Sequence, residues 1–322
     1  MSQNRQKFEG GLLYEISQHA AEIFKFQFPA NVLPKTEYGY EDLNSLLTVG
    51  NDCYFLKVFA KRSINSAKVY VNNHLSLLQS IANLPILFSP PESSEHLFVT
   101  QTSQGPVSWC LMEYIEGALM AEMTITLTDR ARIIEQMALI HSLQASITLQ
   151  EDSWSPFSLN IALPARAQLL QDNERELALS ITRKMEELAK APLTIAPIHA
   201  SLEPTNLIRR EDGSIVLVDF GTVTRGPVVG DLSIFLASCC LDDVSTATEF
   251  ADCYQDSLVT YLKHRPLQQV DLDALLAVLE ATYWSYLLAA REAWFQGDRR
   301  YQTGWWLRLA ARGIEQMTRY TR

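Results

Sequence analysis

The alternation of apolar and polar positions divides the chain into a strand-bearing first third and a long helical remainder. Leu13, Ile16, Ala20, Ile23 and Phe24 recur at helical spacing and predict a leading helix over residues 12–26, broken by Pro29 and Pro34. Two apolar runs, 45–49 and 53–59, flank Gly50-Asn51-Asp52 and predict a β-hairpin. Lys57 lies inside the second run, YFLKVF. A lysine among such neighbours either meets an anion or snorkels to water at a sheet edge. Val69, Leu75, Leu78 and Ile81 predict a helix over 66–82, and after the proline-bounded connection 85–91 two further strands are read at 97–100 and 107–114.

From Leu127 onward the period is helical. Ile133, Met137, Ile140 and His141 share a register within a helix over 128–143, which makes His141 a core or interface histidine. Residues 154–157 read as a loop, and 165–191 as a charged amphipathic helix open to interruption. Residues 198–231 break the period. A loop carrying His199, Ser201, Glu203 and Asn206 runs into two short apolar stretches, 207–208 and 215–218, separated by Glu211-Asp212-Gly213-Ser214. This predicts a hairpin whose second strand stops at Asp219, just before Phe220-Gly221. Asn206 and Asp219 then lie at opposite ends of one hairpin, and an amide oxygen with a carboxylate suits a hard cation such as magnesium. Asp231 stands at an N-cap-like position before a helix over 232–241. Helices follow over 244–262, 271–294 and 301–317. The last two are rich in aromatic residues, mostly core, with a minority available to wall a pocket or stack on an amine.

Composition adds exclusions. At 322 residues, 47% hydrophobic and 20% charged, the chain can bury a sizeable core as one large domain or two ordinary ones. A net charge of −10 with no run of Lys or Arg argues against nucleic acid and against an anionic membrane surface, so a small-molecule substrate or a protein is the expected partner. The oligomeric state is not readable. Five cysteines show no paired metal spacing, and their odd number points to reduced thiols. The start MSQNRQKFEGG lacks a basic region followed by an apolar stretch, and no apolar run of 18 residues stands out, so a cytoplasmic location is expected.

His199-Ala200-Ser201-Leu202-Glu203-Pro204-Thr205-Asn206, then Asp219-Phe220-Gly221, Gly226-Pro227 and Gly230-Asp231-Leu232, resemble the catalytic loop and metal motif of the protein-kinase-like fold. The resemblance is to its small-molecule branch of aminoglycoside phosphotransferases and choline, homoserine and hydroxylysine kinases. Gly39-Tyr40-Glu41-Asp42-Leu43-Asn44 is similar to an opening seen in the last two of these. The resemblance implies an α+β, two-lobed fold: a small β-rich N-lobe over 1–112, a hinge over 113–117 and a larger helical C-lobe over 118–322. It implies ATP and Mg2+ as cofactors. Lys57 would hold phosphates, the backbone of Glu113, Tyr114 and Ile115 the adenine, and Asn206 and Asp219 the metal; His199 would brace the loop.

The chain departs from the family at two places. Ser201 stands where the family carries the aspartate that accepts the substrate proton, and a serine cannot accept a proton near neutral pH without a base of its own. Glu203 is the available substitute. Between Lys57 and Pro91 there is no Asp or Glu, so the usual ion pair from the helix to the strand lysine cannot form there; Asn73 or His74 occupies about the right turn. Two functions are therefore expected. One is an ATP-dependent phosphotransferase acting on a small hydroxylated or amino metabolite, with an impaired or unusual catalytic loop. The other is a pseudokinase, a nucleotide-binding module without turnover.

Overall fold

The computed structural model describes residues 3–26, 31–34, 42–81, 83–150, 152, 154–241 and 247–320. Pro29, residues 38–41 of the glycine-tyrosine opening and the expected helix start at Val244 lie outside the described residues. The chain forms two units, Met1–Gly117 with Val216–Gly221, and Ala118–Ile215 with Thr222–Arg322.

The first unit opens with α1 (Gln3–Ile23) and is built on an antiparallel sheet of β1 (Asn31–Pro34), β2 (Leu43–Val49), β3 (Asp52–Phe59), β4 (Phe98–Thr102) and β5 (Gly105–Glu113), in the order β1-β2-β3-β5-β4. Helix α2 (Ile64–Leu78) follows β3, capped by the Ser63 hydroxyl on the Ser66 amide. The sequence reading treated Pro34 only as a break, whereas it ends a strand. An edge strand tolerates proline because the missing N–H need not serve a second neighbour. Alternation along β3 sorts its side chains. Leu56 and Val58 join Leu12, Leu13, Ile16 and Trp109 on one face, while Phe59 joins Tyr70, Val71 and Met112 on the other. Lys57, two residues before Phe59, shares the α2 face, so it points into a covered layer instead of snorkelling to water.

The second unit contains β6 (Ala118–Leu119), α3 (Leu127–Ser142), α4 (Leu159–Arg166), α5 (Asp172–Leu188), β7 (Ile195–Ile198), β8 (Leu207–Arg209) and the start of β9 (Ile215–Leu217). It continues with β10 (Thr224–Pro227), α6 (Val228–Cys239), α7 (Ala247–His264), α8 (Gln269–Phe295) and α9 (Tyr301–Tyr320). The charged segment over 165–191 is interrupted: a 3-10 turn, Ala167–Leu169, separates α4 from α5, which restarts with a Gln171–Glu174 capping box. β7 pairs with β10 and β6 with β8, both antiparallel. The expected hairpin turn is present, closed by Arg210 N–H to Ser214 O at 2.9 Å and Gly213 N–H to Arg210 O at 3.0 Å.

Three expectations are corrected here. Asp231 is not a cap but lies within the first turn of α6, whose N-cap is Pro227. Cys240 and Cys253 form a disulfide, so the thiols are not all reduced; Cys53, Cys110 and Cys239 remain free. Helix α8 is long and apolar enough to cross a membrane by length and composition, though no such run was noted in the sequence. Its apolar window is 72% buried within the fold, which marks a core helix.

Candidate active site

In the first unit, Lys57 and Asp219 meet at the end of β9. The Lys57 ammonium donates to Asp219 Oδ1 at 3.0 Å, and Asp42 Oδ2 lies 3.4 Å away. The Tyr70 ring lies beneath it, 5.2 Å from nitrogen to centroid. Burial alone would pull the Lys57 pKa down, but the Asp219 carboxylate, with Tyr70 and Asp42 after it, outweighs burial, and the group titrates well above an ordinary lysine. Arg62 adds a second cation: its Nε donates to Asp42 Oδ1 and Oδ2 at 3.1 and 3.2 Å, and its guanidinium donates to Gly221 O at 3.4 Å.

The backbone is shaped around this group. Asp219 takes a left-handed conformation, φ 61°, which turns the chain sharply out of β9. A Cβ at Gly221 would come within 3.0 Å of Arg62, 3.1 Å of Asp219 Oδ1 and 3.2 Å of Tyr70, so only glycine lets those groups close in. Phe220 is buried against the His74 ring at 4.6 Å. His74 therefore packs on the aspartate turn, and Asp42, from the strand side, sets a second carboxylate beside Lys57. Sequence reasoning missed Asp42 and Arg62. The available signal was position 42, two residues before Asn44, which pairs with Lys57 and so puts 42 diagonally beside Lys57 on the same face. Glu113 N–H donates to Ile86 O at 2.8 Å, so what Glu113 offers at the expected hinge is its carbonyl oxygen.

In the second unit, the loop from His199 to Asn206 is held from below by Asp231. Its carboxylate accepts the amides of His199 at 2.8 Å and Ala200 at 2.7 Å. His141 Nε2 lies 3.0 Å from the same carboxylate, and His141 Nδ1 lies 2.7 Å from Tyr261 OH, every one of these groups being buried. A carboxylate only accepts, so Nε2 donates to Asp231, and in the neutral imidazole Nδ1 then accepts from the Tyr261 hydroxyl. Tyr261 is a further residue the sequence did not reveal. Thr222 Oγ1 donates to His199 O at 2.9 Å, a further tie on the backbone at the start of the loop.

At the head of the loop, the Ser201 hydroxyl donates to Glu203 Oε1 at 2.9 Å. Asn206 Nδ2 donates to Ser201 O at 2.9 Å and to Ser201 Oγ at 2.8 Å. With its nitrogen so engaged, the Asn206 amide has Oδ1 as its ligand end. Asp219, in the first unit, offers a carboxylate whose side chain is 41% exposed. Among the described residues no group of three or more His, Cys, Asp or Glu could hold a metal. Magnesium needs no such cage, since it is held by one or two protein oxygens together with substrate phosphates, and an amide oxygen and a carboxylate are each a kind of ligand it takes.

A strand-rich unit with a buried lysine-carboxylate group at an Asp-Phe-Gly turn, and a helical unit with a braced His-to-Asn loop, define a protein-kinase-like fold. The chain belongs to the phosphotransferase enzyme family, whose model matches residues 36–267. Solved structures share the fold at low identity. The microcompartment-associated aminopropanol kinase is 16% identical, with a TM-score of 0.69, over 96% of this chain and 97% of that one. An amicoumacin kinase in complex with AMP-PNP, Ca2+ and Ami is 14% identical, with a TM-score of 0.70, over 99% and 97%. A choline kinase from Streptococcus pneumoniae is 16% identical, with a TM-score of 0.64, over 95% and 99%. No curated protein matches the sequence.

Proposed function

We propose that the protein transfers a phosphoryl group from ATP to the hydroxyl of a small amino-bearing metabolite, with Glu203 taking the proton that the family gives to an aspartate at position 201. The observation that carries this is the Ser201 Oγ to Glu203 Oε1 hydrogen bond of 2.9 Å. It sets a carboxylate beside the vacant position, on a loop whose Asn206 and Asp231 contacts are otherwise complete. In the step itself, the acceptor oxygen bonds to the γ-phosphorus as its proton passes to Glu203, and the bond from that phosphorus to the β,γ-bridging oxygen breaks to release ADP. Lys57 holds phosphate oxygens, and the Glu113, Tyr114 and Ile115 backbone receives the adenine. Asp219 and Asn206 Oδ1 would offer the oxygen ligands for magnesium, and the metal would neutralise phosphate charge.

An amine on the acceptor fits the surroundings of Glu203. Tyr286 on α8, pushed well up by burial, feels Glu203 first among its neighbouring charges, and its ring packs on Trp306 at 4.5 Å. A carboxylate near aromatic faces favours a cation. The named substrates of similar structures, aminopropanol and choline among them, also carry nitrogen.

The test is turnover across amino alcohols with Mg-ATP. Glu203→Gln should lower kcat by about 10² or more with nucleotide affinity unchanged, and Ser201→Asp should gain little, because two adjacent carboxylates compete for one proton. A rise of about 10² in Ser201→Asp, with Glu203→Gln neutral, would remove Glu203 from the role. The pseudokinase reading, favoured by Ser201 itself, wins if parent and both variants bind Mg-ATP and none turns over.

A further inference from the structure

We infer that Asp42, clamped by Arg62, is the positioning residue of Lys57, replacing from the strand side the carboxylate that α2 lacks. The inference rests on the phosphate role of Lys57 given above. Its geometric basis is a difference between the two carboxylates at the ammonium. Asp219 is the closer, at 3.0 Å, yet its side chain is 41% exposed; Asp42, at 3.4 Å, is 3% exposed. Asp219 is thus the one able to turn toward a metal, and Asp42 the one fixed in place. Lys57 itself is 2% exposed, and a buried ammonium that lost its counter-ion as Asp219 engaged a metal would be strongly destabilised.

Arg62 explains why Asp42 stays. Its Nε is shared by both Asp42 oxygens, and the same guanidinium reaches Gly221 O at 3.4 Å. One side chain thus ties the carboxylate to the turn carrying Asp219. Arg62 occupies the bend between β3 and the Ser63 cap of α2, so helix, strand lysine and aspartate turn share one anchor. The four groups, Lys57, Arg62, Asp42 and Asp219, balance in charge before any nucleotide arrives. With Asp219 committed to a cation, Asp42 still neutralises one of the two basic groups and directs the Lys57 ammonium toward incoming phosphate.

The experiment is calorimetric titration of ATP, with Mg2+ and with EDTA, into parent, Asp42→Asn and Asp219→Asn. Asp42→Asn should weaken ATP at least tenfold in both buffers, whereas Asp219→Asn should lose only the increment that Mg2+ adds. Parent-like affinity of Asp42→Asn in both buffers would overturn the inference and leave the phosphotransferase reading intact. Should Asp42→Asn not fold, Arg62→Gln serves instead: a severalfold loss in both buffers supports the clamp, and unchanged affinity overturns it. If the parent binds no ATP, that reading falls by itself, and the pairing is judged by melting temperatures of Asp42→Asn, Lys57→Met and the double variant. A double variant melting no lower than the worse single supports Asp42 as the partner of Lys57. Additive losses overturn it.

Discussion

Two residues of the candidate site carry backbone conformations that side chains disfavour. Asp219 has φ 61° and Ala200 φ 63°, both left-handed. Such a residue costs about 1–2 kcal/mol unless its surroundings repay it. At Ala200 they do, because the left-handed turn aims two successive amides at Asp231. A left-handed position suits glycine, which has no Cβ to strain, and alanine retains the strain. Ala200→Gly should therefore stabilise the protein by about 0.5–1 kcal/mol, once the extra freedom of glycine in the unfolded chain is subtracted. Denaturant unfolding measures this, and a loss of stability would mean that the alanine methyl contributes packing exceeding the strain.

Among the elements, α5 shows how a break in a helical pattern is made useful. Glu174 closes the capping box on Gln171 N–H at 2.8 Å and also receives Arg291 of α8 in a two-pronged pair at 2.6 and 2.7 Å. Arg291 holds the Glu174 carboxyl below its ordinary value of 4.5. A carboxyl with a depressed pKa in the folded state adds stability above its unfolded value, and that stability is lost as pH falls through the folded one. Glu174→Gln, which keeps an oxygen for the cap, should cost about 1 kcal/mol at neutral pH. The gap between parent and variant should close as pH falls below about 4.5 in denaturant unfolding. A gap independent of pH would show that the pair contributes nothing through its charge.

At the scale of the whole molecule, the helical unit depends on how closely α9 approaches α8. A methyl group at Gly313 would overlap the ring of Tyr283, which is fully buried. Gly313→Ala should lower stability by about 1–3 kcal/mol, read by thermal unfolding, and an unchanged melt would mean that the helices separate without penalty. The aromatic spacing in these helices foretold a core, and Tyr283, Trp284, Tyr286 and Trp306 are buried, while Trp294 and Phe295 at the end of α8 are exposed. The order of elements, the hairpin around Gly50, the His-to-Asn loop and the Asp-Phe-Gly turn were legible because each is local: period, turn residues and motif spacing are written within a dozen residues. Pro34 ending a strand, and the break between α4 and α5, were not legible, since neighbouring elements decide whether a proline sits at an edge or an amphipathic run continues. Nor were the partners of Lys57 and His141. Asp42 and Asp219 lie 15 and 162 residues from Lys57, and Tyr261 lies 120 from His141. The sequence left Lys57 to meet an anion or to reach water, and placed His141 in a core or interface. Only the tertiary structure chose which, because burial charges a cost for every unpaired polar group and the folded chain meets it with whichever partner it brings alongside.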